Sequence, residues 1–180
     1  GNVSGNQYVG GLIGQNQAAV ANAYASGLVS GNMSGGLAGM AIGDGSFANS
    51  FWNAQTSGRS NACGATYSSC AATGLATAQM NDPFRFIDAG WDFASVWATR
   101  KAGGPPVLRG MTAAPIYNYY VRIDGSLSTT YGDVASANNV PLQGVGTNNL
   151  IVNWGYAISG STNVGTYAWN GANVLSLSYA

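Results

Sequence analysis

Residues 1–52 contain one pattern twice, and this internal repeat limits what the chain can fold into. Self-similarity with a period of roughly 20–50 residues is typical of solenoids, in which each repeat forms one coil and buries its apolar face against its neighbours. Two coils are fewer than a stable solenoid needs. The copies share Gly-Asn-Val-Ser-Gly at 1–5 and Gly-Leu-Val-Ser-Gly at 27–31, Gly-Gly-Leu-Ile-Gly at 10–14 and Gly-Gly-Leu-Ala-Gly at 35–39, and Ala-Asn-Ala-Tyr at 21–24 and Ala-Asn-Ser-Phe at 48–51.

The spacing of apolar residues within the repeat predicts strands. Short runs such as Tyr8-Val9, Leu12-Ile13 and Leu37-Ala38 lie between glycine, asparagine and serine. These residue types supply positive φ angles and side-chain hydrogen bonds at tight corners. A helical solenoid would need runs of about ten or more residues without glycine. We therefore expect a β-solenoid made of very short strands.

The repeat resembles the GLUG motif of large secreted bacterial proteins, many of which are filamentous-haemagglutinin-like adhesins. The resemblance rests on Gly-Gly-Leu-Ile-Gly-Gln-Asn from residue 10 and Ala-Asn-Ala-Tyr-Ala-Ser-Gly from residue 21. It implies an all-β fold that begins with a short right-handed parallel β-solenoid. The second copy has Met40-Ala41-Ile42 where the first has Gln15-Asn16-Gln17, and so resembles a terminal repeat.

Later segments resemble the region that closes a GLUG array, which predicts a first domain of residues 1–110 with a capping segment. Beyond the proline-rich stretch 105–115, Tyr131-Gly132-Asp133 and the segment 164–168 are similar to the small β modules of the YDG or MBG type. This similarity implies a second domain at 111–180, with a β-sandwich or β-grasp-like fold. The closing-type strings are Ser50-Phe51-Trp52-Asn53, Gly74-Leu75-Ala76-Thr77-Ala78-Gln79-Met80, Gly90-Trp91-Asp92-Phe93, Val96-Trp97 and Pro106-Val107-Leu108-Arg109.

The charge content of the chain argues against two classes of partner. Only 7% of the residues are charged, there is no histidine, and the net charge is zero. Backbone ladders and packed apolar groups must therefore hold the fold, and we expect neither nucleic-acid binding nor attraction to anionic membranes. No stretch approaches the length of a membrane span, so we expect no membrane insertion. A secretory signal would have been removed or would lie outside this sequence.

Cys63 and Cys70 are the two cysteines of the chain. The absence of other metal-ligating residues nearby favours a disulfide that closes a short loop, which requires an oxidising compartment. A redox or metal pair is the alternative. It is weaker because the spacing is not Cys-x-x-Cys and zinc would need histidine or further cysteines.

The segment after the repeats contains two helix-start signals and the densest apolar cluster. Thr77 is a predicted N-cap, and Asp82 is a second one with Pro83 at the first helical position. The apolar cluster is interpreted as a plug, because the end of a stack of β-coils must be covered. A ligand pocket is the alternative interpretation. The cluster consists of Phe84, Phe86, Ile87, Trp91, Phe93, Val96 and Trp97.

The C-terminal part is predicted to form strands. Residues 116–123 alternate with a period of two, residues 150–154 form a continuous apolar run, and residues 165–169 and 172–180 contain further β-forming residues. Pro141 is expected at an edge or in a loop.

The sequence offers little to catalysis. Without histidine there is no Ser-His-Asp or Cys-His arrangement. A Ser-Lys dyad would have to use Lys101, and no catalytic motif surrounds that residue. Asp88 and Asp92 are the only carboxylate pair close in sequence, and a glycosidase using them is a remote alternative. Asp124 or Asp133 could contribute to a calcium site, but the DxDxDG spacing is missing. We expect no catalytic residues, no metal and no cofactor.

Two sets of residues are candidates for binding. Strand 172–180, with Leu175, Leu177 and Tyr179 on one face, could add to the unpaired edge of the first coil in another copy and so build a head-to-tail fibre. The aromatic side chains of Tyr120 and Trp169 could contact sugars or a host surface. We therefore expect an extracellular structural and adhesive module at the bacterial cell surface. It would be a segment of a large adhesin next to flanking repeats, or a fibre subunit. The alternative is a carbohydrate-binding module.

Overall fold

A computed structural model describes residues 1–66 and 70–116, and the backbone of four later strands at 120–123, 142–145, 150–154 and 174–179. The chain forms two compact units, Gly1–Ile116 and Tyr117–Ala180. The first unit includes residues beyond 110 because the Lys101 N–H donates to the Pro115 carbonyl (2.8 Å) and Arg100 forms an antiparallel bridge with Ile116. The described residues are mostly strands in small sheets with few short helices, which confirms the predicted all-β class.

The repeat predicted from the sequence is present as a recurring series of five short strands. We call residues 1–25 the first repeat, 26–53 the second repeat and 54–75 the third segment. The first repeat contains β1 (Val3–Ser4), β2 (Val9–Gly10), β3 (Ile13–Asn16), β4 (Ala19–Ala21) and β5 (Tyr24–Ala25). The second contains β6 (Val29–Ser30), β7 (Ser34–Gly35), β8 (Ala38–Ala41), β9 (Ser46–Ala48) and β10 (Phe51–Asn53). The third segment contains helix α1 (Ala54–Ser57), β11 (Cys63–Thr66) and β12 (Thr73–Leu75).

Each strand of the first repeat pairs in parallel with its counterpart in the second. Ile13 pairs with Ala38, 25 positions later, and Val20 with Phe47, 27 positions later. The offset changes because two residues connect β3 to β4, whereas a turn at 42–45 connects β8 to β9. The ladder continues into the third segment, where β11 pairs with β8 and β12 with β10, again in parallel.

Two corners of the repeat use left-handed backbone conformations. Asn22 and its counterpart Asn49 have φ angles of 52° and 47°, which asparagine tolerates well. Tyr8 and its counterpart Met33 have φ angles of 52° and 46°, which are uncommon for long side chains. Both pairs recur at the same place in each repeat, so the corners belong to the repeating conformation and are not local irregularities.

A small core lies between the ladders. Leu37, Ala38 and Ala41 are completely buried, and Phe47 and Trp52 retain only 4% and 5% of their exposure. The Trp52 indole Nε1 donates to the carbonyl of Arg59 (3.0 Å), which satisfies the polar atom that burial of the ring would otherwise leave unpaired. The Arg59 guanidinium donates to the Val29 carbonyl at 2.7 and 3.0 Å, linking the third segment to the second repeat.

The predicted disulfide is confirmed, because Cys63 and Cys70 are bonded to each other. Cys63 begins β11 and is buried opposite Ala38 in the parallel ladder. The bond therefore ties the loop after β11 to a strand that is already held by main-chain hydrogen bonds.

The segment after β12 contains helices α2 (Thr77–Met80) and α3 (Pro83–Ile87), a β13–β14 pair (Trp97–Ala98 and Val107–Leu108) and a 3-10 turn at Arg109–Met111. Asp82 caps α3 by accepting the Phe84 N–H (3.0 Å), as predicted. The prediction of Thr77 as an N-cap is wrong. Ala76 occupies that position and its N–H donates to the Gln79 side chain, because the Thr77 hydroxyl is hydrogen-bonded to Asn53 instead.

Three members of the aromatic cluster, Phe86, Trp91 and Trp97, pack against the outward side of two paired strands, and the role of the whole cluster as a plug over the end stays a prediction. Tyr24 and Phe51 are register partners on β5 and β10, and their rings are covered by Phe86, Trp91 and, at Tyr24, Trp97. Trp91 Nε1 also donates to the Asn49 carbonyl (2.7 Å). Strand alternation explains this position, because Ala25 and Trp52 point into the core and their neighbours Tyr24 and Phe51 point outward.

The described strands of the second unit form two antiparallel pairs. Strand β15 (Tyr120–Ile123) pairs with β16 (Leu142–Val145), and β17 (Leu150–Trp154) pairs with β18 (Val174–Tyr179). Strands at three of the predicted places, 116–123, 150–154 and 172–180, are confirmed in part or in full. The predicted strand at 165–169 and the position of Pro141 lie outside the described residues.

Two leucines at the same place in successive repeats test this packing. Leu37 is fully buried and Leu12 is 44% exposed, although the Leu12 N–H donates to the Leu37 carbonyl and the two residues are counterparts. We expect Leu37→Ala to lower the free energy of unfolding by about 2–5 kcal/mol, because it leaves a cavity. Leu12→Ala is expected to lower the free energy of unfolding by only about 1 kcal/mol or less. Urea unfolding followed by circular dichroism measures both, and equal losses would contradict the assigned register.

Reduction of the disulfide should destabilise the first unit. Breaking the bond between Cys63 and Cys70 gives the unfolded chain more conformational freedom. This should lower the free energy of unfolding by about 2–3 kcal/mol. We expect the urea midpoint to fall on addition of a thiol reductant. The double variant Cys63→Ser, Cys70→Ser is the control, and its midpoint should not respond to the reductant. If thiol titration of the native protein finds both cysteines free, the disulfide assignment is wrong.

Candidate interaction surface

The outer edge of strands β1–β5 is the main surface left without a strand partner in the repeats. In the described part of the chain, each of these strands has its only strand partner on one side, in the second repeat. We call this the open edge. A row of free main-chain donors and acceptors of this kind is a template for adding another strand, unless charges, bulges or a covering segment protect it.

Val3 and Leu12, two apolar residues along the open edge, are more exposed than their counterparts one repeat later. Val3 is 36% exposed, whereas its register partner Val29 is 1% exposed. Leu12 is 44% exposed and its counterpart Leu37 is 0% exposed. Val29 and Leu37 are buried because the third segment covers the other side of the second repeat, whereas Val3 and Leu12 have a neighbouring repeat on one side only.

The open edge carries no charged side chain. Asp44 is the only charged side chain within residues 1–53, and it lies in the turn between β8 and β9 of the second repeat. Proteins often protect an exposed sheet edge by placing a charged side chain, especially lysine, on the edge strand. None of the strands β1–β5 has such a residue, so recognition at this edge would depend on main-chain hydrogen bonds and apolar contact.

The two aspartates considered for catalysis belong to local backbone structure. Asp88 is the C-cap of α3, and its N–H donates to the Phe84 carbonyl (2.9 Å). Asp92 Oδ1 accepts the N–H groups of Ala94 and Ser95, both at 2.9 Å, and its Oδ2 accepts the Ser95 hydroxyl. The hydrogen bond from the Ser95 side chain is the largest cause that lowers the pKa of Asp92, followed by the Ser95 backbone N–H. A carboxyl with a lowered pKa is a poor general acid near neutral pH. These contacts favour a turn-forming role for Asp92.

Among the described residues, no group of three or more histidine, cysteine, aspartate or glutamate side chains is arranged to hold a metal ion. Lys101 lies in a turn before Gly103-Gly104, where the Gly103 N–H donates to the Arg100 carbonyl (2.9 Å). Asp124 and Asp133, the residues considered for calcium, lie outside the described residues.

The predicted binding residues of the second unit are described only in part. The backbone of Tyr120 belongs to β15, and Trp169 lies outside the described residues. Leu175, Leu177 and Tyr179 belong to β18, which pairs along one edge with β17 of the same chain, with Leu177 opposite Val152 and Tyr179 opposite Leu150. A strand that adds to another copy would therefore have to use its other edge or leave β17, and the role of these residues stays a prediction.

Sequence reasoning anticipated the open edge but missed two features beside it. It did not find the left-handed corners at Tyr8 and Met33, since neither residue type favours positive φ. It also missed that certain glycines of the repeat are required by contact with the repeat before them. The recurrence of Gly14, Gly39 and Gly64 every 25 residues was a visible signal for the second feature.

Comparison with known proteins agrees with the repeat. Residues 5–30 match the family model of the GLUG motif. The chain is also 38% identical over 104 residues to a protein of Evansella cellulosilytica whose name describes it as a Gly-rich membrane protein. That match covers 54% of this chain and 11% of the relative, so the chain spans only a small part of the relative's length.

No solved structure matches the chain. Within the described residues, no helix has the length and apolar character that crossing a membrane would require. The matched residues 5–30 begin just after β1 and end with β6, and so include β2–β5, four of the five strands that form the open edge. Residues 5–30 of the chain therefore contain a GLUG motif.

Proposed function

We propose that this chain is an extracellular structural and adhesive module of a bacterial surface protein. In this proposal Gly1–Ile116 is a short parallel β-solenoid with its closing segment. Tyr117–Ala180 is a small β-sandwich or β-grasp-like module of the YDG or MBG type. The right-handed sense of the solenoid comes from the resemblance to GLUG proteins alone.

The observation that carries the proposal is the register of the parallel ladders. Strands of successive repeats pair at offsets close to one repeat length, and the second repeat is sandwiched at β8 and β10 between the first repeat and the third segment. This is the pairing expected when a chain winds in coils of about 25 residues, each stacked on the one before. The core between the ladders is a cluster of apolar side chains, which suits a structural role.

Three further features support a place outside the cell. The Cys63–Cys70 disulfide is typical of an oxidising compartment. The sparse charge of the chain suits a rod held by main-chain hydrogen bonds. The relative named as a Gly-rich membrane protein is much longer than the aligned region, which favours a segment of a large protein over a complete fibre subunit.

Exposure on intact cells and attachment test the proposal together. We expect added protease to cut the protein on intact cells of the source bacterium, at a rate equal to that in lysed cells. A known cytoplasmic protein in the same cells is the control and should be cut only after lysis. Deletion of the coding segment for residues 1–180 should reduce attachment of the cells to a surface.

The two measurements separate the parts of the proposal. Protection of the protein in intact cells, with cleavage after lysis, would overturn the extracellular location. Cleavage on intact cells together with unchanged attachment would overturn the adhesive role and leave a structural one.

A further inference from the structure

We propose that the exposed turn at residues 100–104 is a processing site. An endopeptidase specific for basic residues cuts the Lys101–Ala102 peptide bond there, and the two products stay bound to each other. The reaction is a hydrolysis, in which water adds across the bond and leaves a carboxylate on Lys101 and an ammonium group on Ala102. The site goes beyond the proposed structural role, because it is a place where the chain is modified by another protein.

The turn presents two basic side chains to solvent. Arg100 and Lys101 are the only adjacent basic residues in a chain that has six lysines and arginines. Both residues and the following Ala102 are exposed, and they lie in the connection between β13 and β14. Exposed connections with small residues are the preferred sites of proteolysis, because opening them locally costs little free energy.

The other four basic residues are held in regular structure or by hydrogen bonds. The guanidinium group of Arg59 donates twice to a carbonyl of the second repeat, and Arg85 lies within helix α3. Arg109 begins the 3-10 turn, and Arg122 belongs to β15, which is paired with β16. A protease that needs an extended chain on both sides of a basic residue therefore finds the most accessible one at residues 100–101.

One of the two candidate bonds in the turn is held by the backbone. The Lys101 N–H donates to the Pro115 carbonyl (2.8 Å), and Arg100 forms an antiparallel bridge with Ile116. A protease that cuts between Arg100 and Lys101 would have to break these interactions before the chain could enter its active site. This bond is therefore the poorer substrate.

The next bond, between Lys101 and Ala102, is more open. Among the described residues, the Ala102 N–H has no backbone hydrogen-bond acceptor, and one hydrogen bond, from the Gly103 N–H to the Arg100 carbonyl (2.9 Å), spans the bond. Gly103 and Gly104 follow with φ angles of 85° and 105°, and no atom lies within 4 Å of their Cβ positions. The chain after Lys101 can therefore change conformation with little steric hindrance, which selects the Lys101–Ala102 bond.

The contacts that fix the downstream side of the turn do not involve the cut bond. Pro106 is fully buried, and its carbonyl accepts the Tyr24 hydroxyl (2.7 Å). Strand β14 pairs with β13, and the Arg109 N–H donates to the Val96 carbonyl (3.0 Å). All of these contacts join residues up to 101 with residues from 102 onward, so they can hold the two products together after the cut.

Cutting thus converts a covalent joint into a non-covalent one. In the uncut chain the connection between β13 and β14 keeps the partners of these contacts at a high effective concentration. In the cut chain the fragment that begins at Ala102 and includes the second unit is held by the contacts alone. The downstream fragment then becomes releasable, whereas in the uncut chain it is not.

Limited digestion of the full 180-residue chain with trypsin tests the position of the site. We expect the first cut to create a new N-terminus at Ala102, identified by intact mass and N-terminal sequencing. Lys101→Gln should lose this early cut. Arg100→Gln is the matched control, because it removes the neighbouring charge and leaves Lys101, and it should keep the cut. A first cut after any other basic residue, or its persistence in Lys101→Gln, would overturn the assignment.

The stability of the joint is tested on the cut protein. We expect its two products to elute together from a size-exclusion column in buffer and to separate in urea. Tyr24→Phe removes the hydroxyl that donates to the Pro106 carbonyl and keeps the ring, so its cut products should separate at a lower urea concentration. Uncut Tyr24→Phe is the control and should elute as one chain throughout. Separation of the original products in buffer would overturn the retained joint.

Material from the source bacterium tests whether the site is used. We expect N-terminal sequencing of the isolated protein to find Ala102 beside the original N-terminus, and Lys101→Gln introduced into the bacterium to remove that product. If the isolated protein is uncut at this bond although trypsin cuts the purified chain there, the turn is merely accessible and the processing role is overturned. This readout does not depend on attachment, so its failure would leave the proposed adhesive function standing.

Discussion

Main-chain hydrogen bonding between residues one repeat apart is the interaction on which the rest of Gly1–Ile116 depends. With 7% charged residues in the chain, ion pairs can contribute little to its stability. The strands are only two to four residues long, so no pair of them would be stable alone. Their stability comes from stacking, because β8 and β10 each have neighbours on both sides. The close spacing of the stacked repeats then dictates glycine where a corner lies against the next repeat.

Features with a local signal were predictable from the sequence. The short apolar runs between glycines indicated strands, the two cysteines indicated a disulfide, and Asp82-Pro83 indicated a helix start, and the structure contains all three. Thr77 had the same kind of signal but failed as a cap, because its hydroxyl hydrogen-bonds to the distant Asn53. Local propensity did not identify a competing partner 24 positions away.

Features that depend on the placement of distant segments were not predictable. The aromatic residues after Met80 had to be buried somewhere, but only the structure places Phe86 and Trp91 beside Tyr24 and Phe51. Likewise, the residue type gave no reason to expect a left-handed corner at Tyr8 or Met33. For the candidate surface, counting repeats was enough to predict an open edge. The close contacts of Gly39 with Tyr8 and of Gly64 with Met33 could be seen only in the structure.

The position of the aromatic cluster also affects how the first unit unfolds. Repeat proteins with contacts only between neighbours can lose their terminal repeats one at a time. Here Phe86 and Trp91 contact rings from both the first and the second repeat, and the Tyr24 hydroxyl donates to the Pro106 carbonyl (2.7 Å). Pro106, near the end of the unit, is thereby hydrogen-bonded to the first repeat. Fraying of the first repeat would have to disrupt the cluster as well, so this segment couples the ends of the unit into one cooperative block.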